Sequence, residues 1–189
     1  MSGAGATQAR DALFARFLGD SFGALPQAVR DGHMIGDGLR LSGRARVTRG
    51  PTPWARLIAA VFGFPKASDE VEVVVTMRPK DGGELWERRF AGKPFWSFLK
   101  VREGRMTERF GPLTFTLDLH VADGRLHYPV LAGRAGPLPL PRWMLPVSVA
   151  SEYAKDGRFH FDVRLKAPLT GALIVHYEGW LVPDPGQPV

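Results

Sequence analysis

The stretch "LTFTLDLHV", Leu113 to Val121, alternates apolar and polar residues without a fault. Leu113, Phe115, Leu117, Leu119 and Val121 share one face of an extended chain, and Thr114, Thr116, Asp118 and His120 share the other. A period of two sustained over this length specifies a strand with one face in a core and one in water. The same period runs through "VEVVVTM" (Val71 to Met77) and "RFHFDVRL" (Arg158 to Leu165). Asp81-Gly82-Gly83, Glu103-Gly104, Asp123-Gly124 and Asp156-Gly157 fall between such runs, at hairpin spacing. The pattern predicts about eight to ten short antiparallel strands in a meander.

Upstream of Val71 the period is helical. "ARDALFARFLG" sets Leu13, Phe14, Phe17 and Leu18 on one face, and "LPQAVRDGH" suggests a further short turn of helix. "PTPWARLIAAVFGFP" is the clearest helix, with Thr52 as cap, Pro53 at the first position and Gly63 to Pro65 as the stop. Its apolar face reads Trp54, Leu57, Ile58, Val61 and Phe62. "LRLSGRARV" (Leu39 to Val47) is a strand weakened by Gly43. The fold class is therefore α+β: a strongly curved antiparallel sheet, barrel or half-barrel, packed with N-terminal helices. One domain spans 1–189, with a helical part over 8–65, the sheet over 71–182, and flexible tails at 1–7 and 183–189.

Turn chemistry fixes register. A two-residue loop at Asp123-Gly124 pairs Val121 with Leu126 and His120 with His127. At Asp156-Gly157 a two-residue loop would set Glu152 against Phe161. A three-residue loop pairs Tyr153 with Phe159 and leaves Glu152 beside His160 at the surface, and it is the better match of polarity. At Glu103-Gly104 a two-residue loop opposes Leu99 and Glu108, which turns Glu108 to the apolar side. A carboxylate there needs a partner, and Arg88 in "ELWERRF", on one face with Trp86 and Phe90, is the candidate. Such a pair is a structural salt bridge or the polar anchor of a ligand cavity.

Other constellations are weaker. His120, His127 and Asp118 face solvent on this register, and no metal-ligand spacing occurs, so no metal is expected. His33 sits in the glycine-rich "DGHMIGDG" as a lone candidate base. Trp180 falls on the polar face of "LIVHYEGWL" and asks for a cover, while Val175, Tyr177 and Leu181 point the other way. No phosphate loop, dinucleotide fingerprint or serine triad is present, and no cofactor is expected.

The chain has 189 residues, 44% of them hydrophobic, and a formal charge of +6. The basic excess is mostly arginine and scattered, which argues for a solvated surface and against nucleic acid. The absence of cysteine excludes disulfides and thiolate chemistry. No apolar run has the length of a signal peptide core or a membrane span, so a cytoplasmic setting is expected. "GPLPLPRWMLP", Gly136 to Pro146, has no two prolines three apart and cannot present a polyproline ligand face. It reads as a stiff crossing at the rim of the sheet that presses Leu138, Leu140, Trp143 and Leu145 onto the open end. Membrane contact is the less favoured reading of it.

"GRARVTRG", "ELWERRF", "TERFGPL", "LPLPRWMLP", "GRFHFDV" and "YEGWL" together resemble a bacterial domain family of unknown function. Some members of that family are joined to saccharopine-dehydrogenase-like or other nucleotide-binding oxidoreductase modules. The resemblance implies no reaction, but it does imply a bacterial setting and a redox-enzyme partner in trans. The expected function is binding of a small hydrophobic or lipid-like ligand on the concave face, by Trp86, Arg88, Phe90, Phe95, Glu108, Trp143 and Tyr177. The rival readings are an enzyme using His33, Glu108 or Tyr177 as acid and base, and a docking module marked by an exposed apolar patch around Trp180 or Trp143.

Overall fold

The structure is a computed structural model, and it describes residues 12–61 and 63–184. The tail expected at 1–7, most of the one at 183–189, and Phe62, read from sequence as part of an apolar helix face, lie outside the described residues. Of the second tail, Pro183 ends the last strand and Asp184 is held by Arg40 Nε at 2.9 Å.

Three short helices, α1 (Leu13–Leu18), α2 (Asp20–Gly23) and α3 (Gln27–His33), precede the first strand. The sheet then runs through β1 (Leu39–Arg49), β2 (Ser68–Lys80), β3 (Gly83–Phe90), β4 (Lys93–Arg102), β5 (Arg105–Phe110) and β6 (Leu113–Leu117). It continues with β7 (His120–Ala122), β8 (Arg125–His127), β9 (Val130–Ala135) and β10 (Leu138–Pro139). It ends with β11 (Val147–Lys155), β12 (Arg158–Lys166) and β13 (Leu173–Pro183). Inside the sheet sequence the α-helix α4 (Pro53–Val61) lies between β1 and β2, and a single 3-10 turn covers Arg142–Met144 between β10 and β11 among the described residues. The ladder order is β10-β9-β6-β5-β4-β3-β2-β1-β13-β12-β11-β8-β7, antiparallel throughout and not closed.

There are thirteen strands among the described residues, more than the period of two predicts, because one hairpin is bent and the crossing adds the two-residue β10. β6–β7 and β8–β9 are the two arms of the Asp123-Gly124 hairpin, each interrupted near its middle. Asp118 N donates to Pro129 O across the interruption at 2.9 Å. Above the bend β6 pairs with β5, at one end of the sheet. Below it β8 pairs with β11, at the other end, and Tyr128 N donates to Ala150 O at 3.0 Å. The same hairpin thus holds both ends of the ladder.

Five hairpins turn on two residues that are both left-handed: Asp81-Gly82, Ala91-Gly92, Glu103-Gly104, Asp123-Gly124 and Asp156-Gly157. This is the turn whose twist matches paired strands. It gives the predicted registers His120 opposite His127 and Leu99 opposite Glu108. At Asp156-Gly157 it overturns the three-residue reading: Glu152 opposes Phe161, and Tyr153 opposes and stacks on His160. Turn geometry overrides polarity matching there, and Glu152 faces inward.

β1, placed between helices, lies deep in the sheet between β2 and β13. Gly43 serves that position, since a Cβ on it would come within 1.9 Å of the Trp180 carbonyl oxygen. Thr52 caps α4 as expected, its Oγ1 accepting from Ala55 N at 3.1 Å. The buried face of α4 is Ala55 and Ala59, with Ile58 half-buried, whereas Trp54 and Leu57 are exposed. The helix approaches β13 too closely for large side chains: a Cβ on the neighbouring Gly50 would strike Leu173 O at 1.7 Å and Ala55 Cβ at 3.0 Å. Trp180 is covered by Arg158, whose guanidinium sits 4.5 Å from the ring centroid.

Antiparallel order gives the sheet two ends. The lower end carries the turns at 81–82, 103–104, 123–124 and 156–157 and is packed by α1–α3. The upper end carries α4, the β12–β13 loop, and the crossing 136–146 that leads from β9, through β10, to β11.

Candidate functional site

Inward-facing residues of the sheet surround a cavity of about 180 Å³ that runs between the two ends. This is comparable to the engineered cavities of about 150 Å³ that hold a benzene molecule. Toward the lower end its lining is fully buried, with Met77, Trp86, Leu99, Phe159 and Leu181. Toward the upper end Ile58, Phe64, Phe110, Pro146, Ser148 and Leu165 line it and are half-buried. The cavity therefore opens upward, where Val147–Val149 of β11 have no ladder partner on the side away from β12.

Polar groups occupy its middle. Arg88 Nη2 donates to Glu108 Oε1 at 3.2 Å and its Nη1 to Ser97 Oγ at 2.7 Å. The guanidinium also lies 4.8 Å from the Trp86 ring and 5.6 Å from that of Phe95. This is the inward pair that register predicts, held between aromatic faces. Tyr177, on β13, contacts Phe90 and Phe161 edge-on or tilted. Its hydroxyl has no hydrogen-bond partner among the described residues, and burial pushes its pKa up to about 12.

Of the predicted ligand-binding residues, Trp86, Arg88, Phe90, Glu108 and Tyr177 line the cavity. Phe95 lies behind Phe90, stacked on it at 5.9 Å, and backs the Arg88 guanidinium. Trp143 is on the outer surface and forms no wall, because the crossing turns Leu140 and Leu145 inward over Gly133 instead.

A second polar cluster was hidden from the sequence by the Glu152 register. His33, fully buried at the end of α3, places Nε2 2.5 Å from Glu152 Oε2. Tyr128 donates its hydroxyl to the same oxygen. Burial first, and the Glu152 carboxylate second, raise the Tyr128 pKa well above its ordinary value. Tyr128 and Glu152 face the cavity, while His33 sits behind them, stacked on Phe14 at 4.0 Å. Its Nδ1 is buried without a hydrogen-bond partner among the described residues. The candidate base is thus walled off from the cavity by the carboxylate it contacts.

Glu84 is also buried, accepting from Trp86 Nε1 at 2.9 Å and from Leu13 N at 3.2 Å. It fixes the first turn of α1 to the sheet, and burial raises its pKa. His120 and His127 stack at the surface as register predicts. On the outer face Asp162, His176 and Glu178 bring one ligand atom each within 4.8 Å. Within it His176 Nε2 and Asp162 Oδ1 already engage each other at 2.9 Å, and Arg164 and Arg46 stand opposite His176 and Glu178 on the neighbouring strands.

The family model described as a domain of unknown function, DUF4166, matches residues 25–181. The chain belongs to the DUF4166 family. The matched DUF4166 span contains every strand except the last two residues of β13, together with the whole cavity lining. No curated protein matches the chain. A solved structure of a DUF3598-family protein of unknown function from Nostoc punctiforme is similar at 11% identity and a TM-score of 0.40. The similarity covers 77% of this chain and 46% of that one, so the chain spans less than half the length of that protein.

Proposed function

We infer that this DUF4166 domain binds one small, mostly apolar molecule inside the curved sheet. The observation that carries this reading is the cavity itself: apolar walls, an upward opening, and the unpartnered Tyr177 hydroxyl beside the Arg88–Glu108 pair. Burial of an apolar molecule contributes about 25 cal/mol per Å². A carbonyl or hydroxyl on it would take the Tyr177 hydrogen bond and so fix its orientation. Native mass spectrometry and solvent extraction of the purified chain test this. A co-purifying apolar molecule supports it, whereas a clean unliganded mass with no uptake of apolar probes overturns it.

The shared carboxylate of Glu152 favours a second reading, in which Glu152 takes a proton from the bound molecule and leaves that molecule anionic, with Tyr128 and His33 holding the carboxyl group in place. The resemblance to domains that accompany nucleotide-binding oxidoreductases supports a setting in which such an enzyme, acting in trans, makes or consumes the ligand.

A further inference from the structure

We propose that the upper end of the sheet docks on an anionic lipid bilayer and sets the mouth of the cavity against it. Large apolar side chains are left exposed on all three structures that rim this end. They are Trp54 (59% exposed) and Leu57 on α4, Leu169 (81%) in the β12–β13 loop, and Leu138 (69%), Trp143 (58%) and Met144 on the crossing. Val147 and Val149 extend the crossing's apolar surface onto the outer face of β11, where the usual polarity is inverted: Ser148 lines the cavity and the valines face outward. The lower end, built from equally tight turns, exposes no comparable set among the described residues.

Charge selects the partner. The run Val130 to Ser151, from β9 through the crossing into β11, holds Arg134 and Arg142 and neither aspartate nor glutamate. Arg142 adjoins Trp143, Arg56 adjoins Leu57, and Lys166 and Arg164 stand opposite Val147 and Val149. None of these four cations is ion-paired among the described residues. At the same end Asp69 and Glu70 are engaged by Arg46 and Arg44. An apolar rim with a tryptophan and an unneutralised basic border is the composition of a surface that sits at the headgroup level. The prolines at 137, 139, 141 and 146 stiffen the crossing, so little order is lost on docking. A bilayer also supplies apolar molecules at the opening, which a rigid protein partner would seal. No described helix is long and apolar enough to cross a membrane, and docking needs none.

Flotation of the full chain with vesicles tests this, using phosphatidylcholine alone and equal parts phosphatidylcholine and phosphatidylglycerol. The chain cofloats with the anionic vesicles only, and high salt releases it. The double variant Leu138→Ser/Trp143→Ser and the single variant Arg142→Glu each lower partitioning about tenfold. Arg105→Glu, the same charge change at the lower end, lowers it less than about twofold. Far-UV circular dichroism confirms that the variants keep their fold. Failure to cofloat with either vesicle overturns the proposal. So does equal loss in Arg105→Glu and Arg142→Glu, or a concentration-dependent dimer that shields Trp143 fluorescence from quenchers. Docking needs no ligand in the cavity, so this experiment stands or falls apart from native mass spectrometry of the bound molecule.

Discussion

His33 Nε2 lies 2.5 Å from Glu152 Oε2, joining the last residue of α3 to the middle of β11 across 119 positions of chain. Both groups are buried, and Tyr128 completes the carboxylate's partners. Removal of one member of a buried hydrogen-bonded pair strands the other, at about 3–5 kcal/mol. His33→Ala is therefore expected to lower unfolding free energy by about 3 kcal/mol, read from chemical denaturation. Glu152→Gln, which keeps a hydrogen bond to the ring, costs less than half of that. Equal losses in the two variants would show that an amide cannot take the carboxyl group's place between His33 and Tyr128.

Arg88 and Glu108 form the other inward pair, about 15% exposed on each side. Glu108→Leu alone leaves the guanidinium with Ser97 as its sole polar partner among the described residues and is expected to cost about 3 kcal/mol. The double variant Arg88→Met/Glu108→Leu restores an apolar wall and recovers most of that loss. A double-mutant cycle by thermal or urea unfolding measures the coupling. Additive losses would mean that the pair contributes nothing as a pair.

Tyr177 connects the cavity to pH. Its folded pKa of about 12 lies above the ordinary value of 10.0, because burial disfavours the phenolate. Between these values the folded state retains a proton that the unfolded chain releases. The stability it confers is complete below pH 10.0 and is lost as pH rises through about 12. Tyr177→Phe is accordingly expected to flatten the decline of stability over this range, while changing stability at neutral pH by less than about 0.5 kcal/mol. Stability profiles that stay parallel above pH 10.0 would contradict the assignment.

On α4 the small residues are the structural ones. Ala59→Leu, at a fully buried site against the sheet, is expected to cost about 1–3 kcal/mol through overpacking. Leu57→Ser on the exposed face is expected to change stability by less than about 0.5 kcal/mol. Thr52→Ala removes the cap to Ala55 N and costs about 1 kcal/mol. Comparison of the three midpoints of denaturation checks the orientation of the helix.

Most of the sheet was legible because its signals are local. The period of two marks the strands, and Xaa-Gly pairs mark the turns, so the inward Arg88–Glu108 pair could be placed from register alone. What was not legible depends on distant contacts. Glu152 looks like a surface residue until His33, contributed by a helix more than a hundred positions earlier, meets it inside. Trp54 and Leu57 look like a core face because the period cannot report how closely α4 approaches β13. Trp143 looks like a lid for the same reason: a stretch of alternating prolines and leucines does not say which leucines turn in. The bend in the Asp123-Gly124 hairpin is silent in sequence, since the alternation of Leu117, Leu119 and Val121 continues straight through it.

That bent hairpin has a consequence for what the molecule can accept. In a fully zipped barrel, strand number and stagger set one bore along the whole axis. Here the ladder is completed only below Ala150, by β8 on β11, and is left unzipped above it. The lower bore is fixed by backbone hydrogen bonds, while the upper bore is bounded on one side by a proline-stiffened strap. A guest should then be discriminated strictly by the shape of its inner end and leniently by the length and girth of what trails toward the mouth.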